Sequence, residues 1–297
     1  MRRRPRPGAG ASGAAGPELR AAVARVAALP MYDLAELRAA TNGWWRGLAR
    51  AFRRQGVPDV PERLTRQGRD ARLWRDSTLL FAQICGYPLT HDYADVLSPI
   101  ATPCYRADGC AGPDYSSFVV VRDDDPARGL QDLRGRTAAI NGAISHSGWS
   151  VLRAMAVPLA EERRFFQRVV VTGGHVASLA AVVSGRADVA AIDAVTHALL
   201  ARHRPSSLAG IRILDRSPRA PGLPYVTRAD AAPDLRARLR EGLLEALVEP
   251  ALANCREALL IEGAEILPLE AYGRIREISE AGRALCDPIV RGSPGRP

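Results

Sequence analysis

The chain has 297 residues, 47% hydrophobic and 25% charged, enough to bury two domain-sized cores and outside the compositions of disordered or fibrous chains. Its formal charge is +9, but Arg2, Arg3, Arg4 and Arg6 supply four of those charges and the remainder carries only +5. No run is long enough for a membrane-spanning helix and no stretch interleaves arginines with exposed aromatics, so neither stable membrane insertion nor a nucleic-acid partner is expected.

Residues 1–18 are rich in Arg, Gly, Ala and Pro, and read as a disordered basic tail. This start has the basic character of a secretory signal without its continuous apolar segment, which leaves a cytoplasmic location open. The five cysteines, Cys85, Cys104, Cys110, Cys255 and Cys286, have no metal-type spacing, so no metal is expected. Cys104 and Cys110 flank a turn, and either bridge or remain thiols according to the compartment.

Val23 to Leu29 reads as a first strand, and Asp33 as the N-cap of a long amphipathic helix through Leu34, Leu37, Trp44, Leu48 and Phe52. Gly56 closes that helix, and an extended piece over Val60 to Leu64 completes a βαβ pattern. Leu79 to Ile84 is short and apolar enough for a buried strand, and it delivers Cys85, Gly86, Tyr87 and Pro88 at its carboxyl end. After Cys110 the pattern restarts with a strand over Ser117 to Val121, a turn at Asp123–Asp125 and a short helix over Leu130 to Leu133.

Thr137 to Met155, TAAINGAISHSGWSVLRAM, is the stretch that points to chemistry. A strand over Thr137 to Ile140 leads through the polar turn Asn141–Gly148 into helical spacing at Trp149, Leu152 and Met155. The first N–H groups of a helix lack internal partners, and the macrodipole draws an anion to that end. Ser145 and Ser147 add hydroxyls there, and Gly148 leaves room for an oxyanion. The same serines equally suit a plain helix cap.

Further strands follow over Arg168 to Thr172, Asp188 to Ile192 and Ile211 to Leu214; between them lie a helix opened by Thr172-Gly173-Gly174-His175 and ended by Gly185, with its apolar face at Val176, Leu179, Ala180 and Val183, and a helix through Val195 to Leu200. In a parallel sheet the carboxyl ends line one edge, which brings Ser145, Ser147, His175 and Asp193 to one crevice. His175 and Asp193 also suit helix caps, so convergence of several loops carries the reading of a site. Pro233–Val248 and Pro268–Ala284 resume amphipathic spacing, and residues 291–297 read as a frayed tail.

Ser145-His146-Ser147-Gly148 at a helix start, Thr172-Gly173-Gly174-His175, a strand ending at Asp193, Ser217-Pro218 and Pro221-Gly222-Leu223-Pro224-Tyr225 together resemble the phosphate, phosphite and phosphonate substrate-binding proteins of ABC transporters. The resemblance spans about Ala28 to Tyr272. It implies an α/β, two-lobe, type 2 periplasmic-binding-protein architecture, each lobe a mainly parallel sheet flanked by helices and the two joined by crossing strands. On that pattern residues 19–105 and 218–290 form one lobe and 106–217 the other.

The resemblance further implies a small oxyanion held by Ser145, the backbone of His146, and Ser147. Tyr87 meets it from the opposite lobe, His175 and Asp193 stand on the cleft wall, and Tyr32 or Tyr105 replaces a second cleft tyrosine missing near Arg69–Trp74. Val195, Thr196 and Leu223 stand where aminophosphonate binders carry acidic groups, which points away from an amine. No catalytic residue and no cofactor are implied. The implied partner is an ABC transporter permease and the implied location periplasmic or cell-surface. The rival reading is a cytosolic enzyme or ligand sensor reusing the same fold.

Overall fold

The structure, a computed structural model, describes residues 24–66, 71–286 and 289–291. The tails expected at 1–18 and 291–297 lie outside these residues, except for Arg291, which ends a strand. Two sheets carry the architecture. The first has five strands in the order Val26–Ala28, Leu79–Gln83, Tyr225–Arg228, Leu97–Tyr105 and Ile261–Glu265. The second has six, in the order Ile211–Arg216, Ser117–Arg122, Val189–Asp193, Thr137–Ile140, Arg168–Val171 and Ile289–Arg291.

The second sheet is parallel around Thr137–Ile140 and antiparallel where Ser117–Arg122 joins Val189–Asp193. The first sheet is parallel only between Val26–Ala28 and Leu79–Gln83. Its other strands pair antiparallel, because the chain re-enters it from the second sheet through Tyr225–Arg228.

The first lobe closes around the helix Arg38–Arg54. Trp44, Trp45, Leu48 and Phe52 recur on one face and are all buried, with Trp45 and Phe52 against Phe81. That helix follows a 3₁₀ turn at Ala35–Leu37, and Asp33 does not cap it. Asp33 instead accepts a two-pronged contact from Arg66, a charge-assisted bond stronger than a cap to a neutral N–H. The extended piece expected at Val60–Leu64 is no strand. Pro58 and Pro61 remove donors there, Asp59 sits at φ 52°, and the βαβ unit is completed by Leu79–Gln83.

Two chain crossings join the lobes, at 106–116 and 217–224. They run side by side: Asp114–Tyr115 pairs antiparallel with Ala220–Pro221. Ser117 N–H donates to Ser217 Oγ at 2.8 Å, and Ser217 N–H donates back to the Ser117 carbonyl at 2.9 Å. A further C-terminal connection departs from the sequence reading, which gave residues 218–290 to the first lobe. The helix Gly273–Gly282 packs on both Gly86–His91 and Val151–Ala156, and Ile289–Arg291 adds an edge strand beside Arg168–Val171. Three residues carry too little periodicity to announce that strand, whereas the open sheet edge offers it backbone partners. All five cysteines are free thiols, so Cys104 and Cys110 are not bridged.

Candidate ligand-binding site

A cavity of about 940 Å³ opens between the two sheets. The first lobe contributes Tyr32 and Cys85, and the second contributes Asn141, Ser145, Ser147, His175 and Asp193 from the loops beyond three adjacent strands. These loops sit at the carboxyl ends of Thr137–Ile140, Arg168–Val171 and Val189–Asp193, where open α/β sheets place their ligands.

The anion loop begins with a π-turn, His146–Ser150, and only then becomes the α-helix Val151–Ala156. Such wide turns are rare and recur at functional sites. Ser145 caps it, its Oγ accepting the Gly148 N–H at 3.0 Å, while Ser150 N–H reaches the Ser145 carbonyl at 3.0 Å. The widened ring leaves the N–H groups of His146 and Ser147 ahead of the first intrahelical bonds. Gly148 is required here because a Cβ would stand 1.9 Å from Asn141 Oδ1.

Ser147 faces His175 across two loops, with Oγ 3.0 Å from Nε2. Asn141 Nδ2 lies 3.3 Å from the same nitrogen. Burial lowers the His175 pKa to about 4, so the ring is neutral at pH 7 and offers one ring donor and one acceptor. Thr172 lines the cavity while its hydroxyl contacts Ser178 at 2.7 Å and the Ile140 carbonyl at 3.0 Å, holding the His175 loop against the anion loop.

Asp193 is 2% exposed and does two jobs. Oδ1 accepts the Thr196 N–H at 2.7 Å, capping the helix Ala194–His203, and Oδ2 accepts the Tyr32 hydroxyl at 2.9 Å from the other lobe. Burial pushes its pKa up to about 6, with the Thr196 N–H and the Tyr32 hydroxyl acting in the opposite direction. The same environment raises Tyr32 well above an ordinary phenol. Tyr32 is held at φ 59° and packs edge-on against Tyr105, ring centroids 5.4 Å apart. Of the two tyrosines considered for this wall, Tyr32 lines the cavity, and Tyr105 takes a hydrogen bond from Gln83 behind it.

The capping and cavity-lining readings of Ser145 and Asp193 therefore hold together. Tyr32, Ser145, Ser147, His175 and Asp193 share one cavity. Tyr87 does not join them. Its ring stacks on His91 at 4.0 Å, because the short helix Gly86–His91 puts residues four apart on one face, and the cavity wall from this segment is Cys85 and Pro88. The His146 side chain is buried 6.1 Å from Tyr115 and off the cavity lining, its pKa lowered to about 3 by burial. Only its main chain stands at the turn.

Asn141 is a contributor that sequence reasoning passed over, and Thr196, read there only as a position lacking an acidic group, also lines the cavity. Their signal was positional: Asn141 directly follows the strand Thr137–Ile140, and Thr196 falls three residues after a candidate cap. Burial raises the Cys85 thiol, against the effect of the His146 N–H that faces it from the opposing lobe.

Two lobes hinged by paired crossings, with helix-start donors and hydroxyls facing a shared cleft, define a solute-binding protein of the type 2 periplasmic class. The family described as "ABC transporter, phosphonate, periplasmic substrate-binding protein" matches residues 76–266, and the chain belongs to it. It is accordingly the non-enzymatic substrate-binding component of an ABC phosphonate transporter, and the rival enzyme or sensor reading is not favoured.

Solved structures share the fold. PhnD1 from Prochlorococcus marinus, in complex with methylphosphonate, superposes with a TM-score of 0.70 at 16% identity, over 88% of this chain and 98% of that one. A binding protein component of an ABC phosphonate transporter from Pseudomonas aeruginosa gives 0.68 at 17% identity, covering 87% and 86%. A Xanthomonas citri protein bound to chloride ion gives 0.66 at 19% identity, covering 87% and 97%. A search of curated protein sequences finds no match.

Proposed function

We propose that the cleft takes a small phosphonate-type oxyanion, with its oxygens at the start of the π-turn. The observation that carries this is the Ser147–His175 pair beside turn N–H groups that lie ahead of the first intrahelical bond, inside the inter-lobe cavity. When His175 bears its proton on Nε2, with the Asn141 amide turned so that its oxygen faces that N–H, the ring donates to Ser147 Oγ and the serine hydroxyl is then free to donate to the anion. Ser145 Oγ accepts the cap bond, which shapes the turn, and it keeps its own O–H as a donor. Asp193 accepts from a protonated ligand oxygen in place of, or beside, the Tyr32 hydroxyl. This favours a ligand that keeps one acidic proton, because a full dianion meets the Asp193 carboxylate at short range.

Two lobes, residues 24–105 with 225–265 and residues 117–216, rotate about the crossings and bury the anion among donors. The methylphosphonate named for the Prochlorococcus relative supports this ligand class. Family membership supports delivery to an ABC permease from the periplasm or cell surface. Among the described residues no helix is long and apolar enough to cross a membrane. The test is a calorimetric titration with methylphosphonate, phosphite and inorganic phosphate, for the full chain and Ser147→Ala. Saturable one-to-one binding to at least one of these, weakened in the variant, is expected. Absence of binding to all three overturns the proposal.

A further inference from the structure

A minimal phosphonate fills only a small part of the cavity. The volume of about 940 Å³ lies at the upper end of pockets that enclose drug-sized ligands. Beyond the polar groups already described, much of the lining is apolar: Met31, Trp74, Ile84, Tyr93, Ile144 and Val176. Ile144, beside the anion loop, is 57% exposed and is one of the few large aliphatic side chains on the surface. An aliphatic residue kept in water at the mouth of a cleft gains most if a ligand covers it.

Charge narrows the choice. Among the described residues, Asp33, Asp193 and the neutral His175 are the only titratable acid or base side chains of the lining, apart from phenols and the Cys85 thiol. Asp33 is held by Arg66, and Asp193, which already accepts from Thr196 and Tyr32, is on the reading above the acceptor for the acidic proton of the phosphonate head. A ligand amine finds no free carboxylate, and a second anionic group finds no lining cation. An uncharged organic group is what this wall accommodates without leaving a buried charge unpaired.

We propose that the ligand is a phosphonate carrying an uncharged alkyl or aryl substituent, the phosphonate at the Ser147 end and the organic group against Trp74, Ile84 and Ile144. This rests on the reading that the cleft binds phosphonates. Its test is titration of the full chain with methyl-, propyl-, butyl-, phenyl- and 2-aminoethylphosphonate at one pH. Affinity rises about fourfold per buried methylene from methyl to butyl, and phenylphosphonate binds at least about tenfold tighter than methylphosphonate.

Propyl- and 2-aminoethylphosphonate have nearly the same shape, so the weaker binding expected of the second isolates the effect of the charged amine. In Ile144→Asn the ratio of propyl to methyl affinity falls. If methylphosphonate binds but propylphosphonate binds no tighter, or the aminoethyl ligand exceeds the propyl one, this proposal is wrong and the phosphonate reading stands. If none of the five binds, this proposal falls, and the oxyanion site falls with it unless phosphite or inorganic phosphate binds.

Discussion

Asp193→Asn separates the two roles of that side chain. Asparagine serves as an N-cap about as well as aspartate, so the bond from the Thr196 N–H survives the exchange. What changes is the buried charge. In the folded chain the carboxyl titrates at about 6 against 3.8 for the ordinary group. The folded state thus holds a proton between those values that the unfolded state has lost, and stability falls as pH rises through that window. The shift corresponds to about 3 kcal/mol of penalty, fully developed above pH 7 and absent below about pH 4.

Asparagine carries no such penalty, so Asp193→Asn gains stability relative to the wild type as pH rises. Urea unfolding of both proteins at pH 4 and pH 7.5 measures the difference between them, in which titration of His146 and His175 cancels. The variant should gain on the order of 2–3 kcal/mol between the two pH values. A difference that does not change with pH would refute the burial argument for Asp193.

Ser147→Ala removes the hydroxyl between His175 and the anion, and should weaken methylphosphonate binding by about 1–3 kcal/mol in calorimetry. Tyr87→Phe should leave that affinity within about twofold, well under 1 kcal/mol, because its ring stacks on His91 away from the cleft. Gly148→Ala places a methyl 1.9 Å from Asn141 Oδ1, so the amide must leave His175 and anion affinity should drop at least about tenfold, read in the same titration. His175→Asn should flatten the acid limb of the unfolding profile. The wild-type ring stays neutral to about pH 4 when folded, so its stabilising effect is lost as pH falls from 6.5 to 4.

Legibility followed punctuation. The helix Pro233–Val248 was readable to the residue, because Pro233 opens it, and His175–Val183 was readable to within its caps, because Gly174 and Gly185 bracket it. Thr137–Ile140 was equally plain, an apolar run ended by a polar turn. Leu97–Tyr105 went unread although it is the longest strand, since Pro99 and Pro103 argue against a central strand. Those prolines sit opposite Val226 and Ala264 in antiparallel pairings that sequence does not reveal.

Ser145, Ser147, His175 and Asp193 were legible as neighbours on one cavity because topology alone brings strand ends together. Tyr87 was misplaced because a one-turn helix decides which way Cys85, Tyr87 and Pro88 point, and its signal is too short to read. The mutual contact of Tyr32 and Asp193, 161 residues apart, depends on how the lobes meet and has no local trace.

The most direct measurement is a crystal structure of the full chain with methylphosphonate. The phosphonate is expected between the lobes, with an oxygen within hydrogen-bond distance of Ser147 Oγ and of a main-chain N–H at His146 or Ser147. A phosphonate bound outside this cleft, or inside it but away from the π-turn, would contradict this expectation.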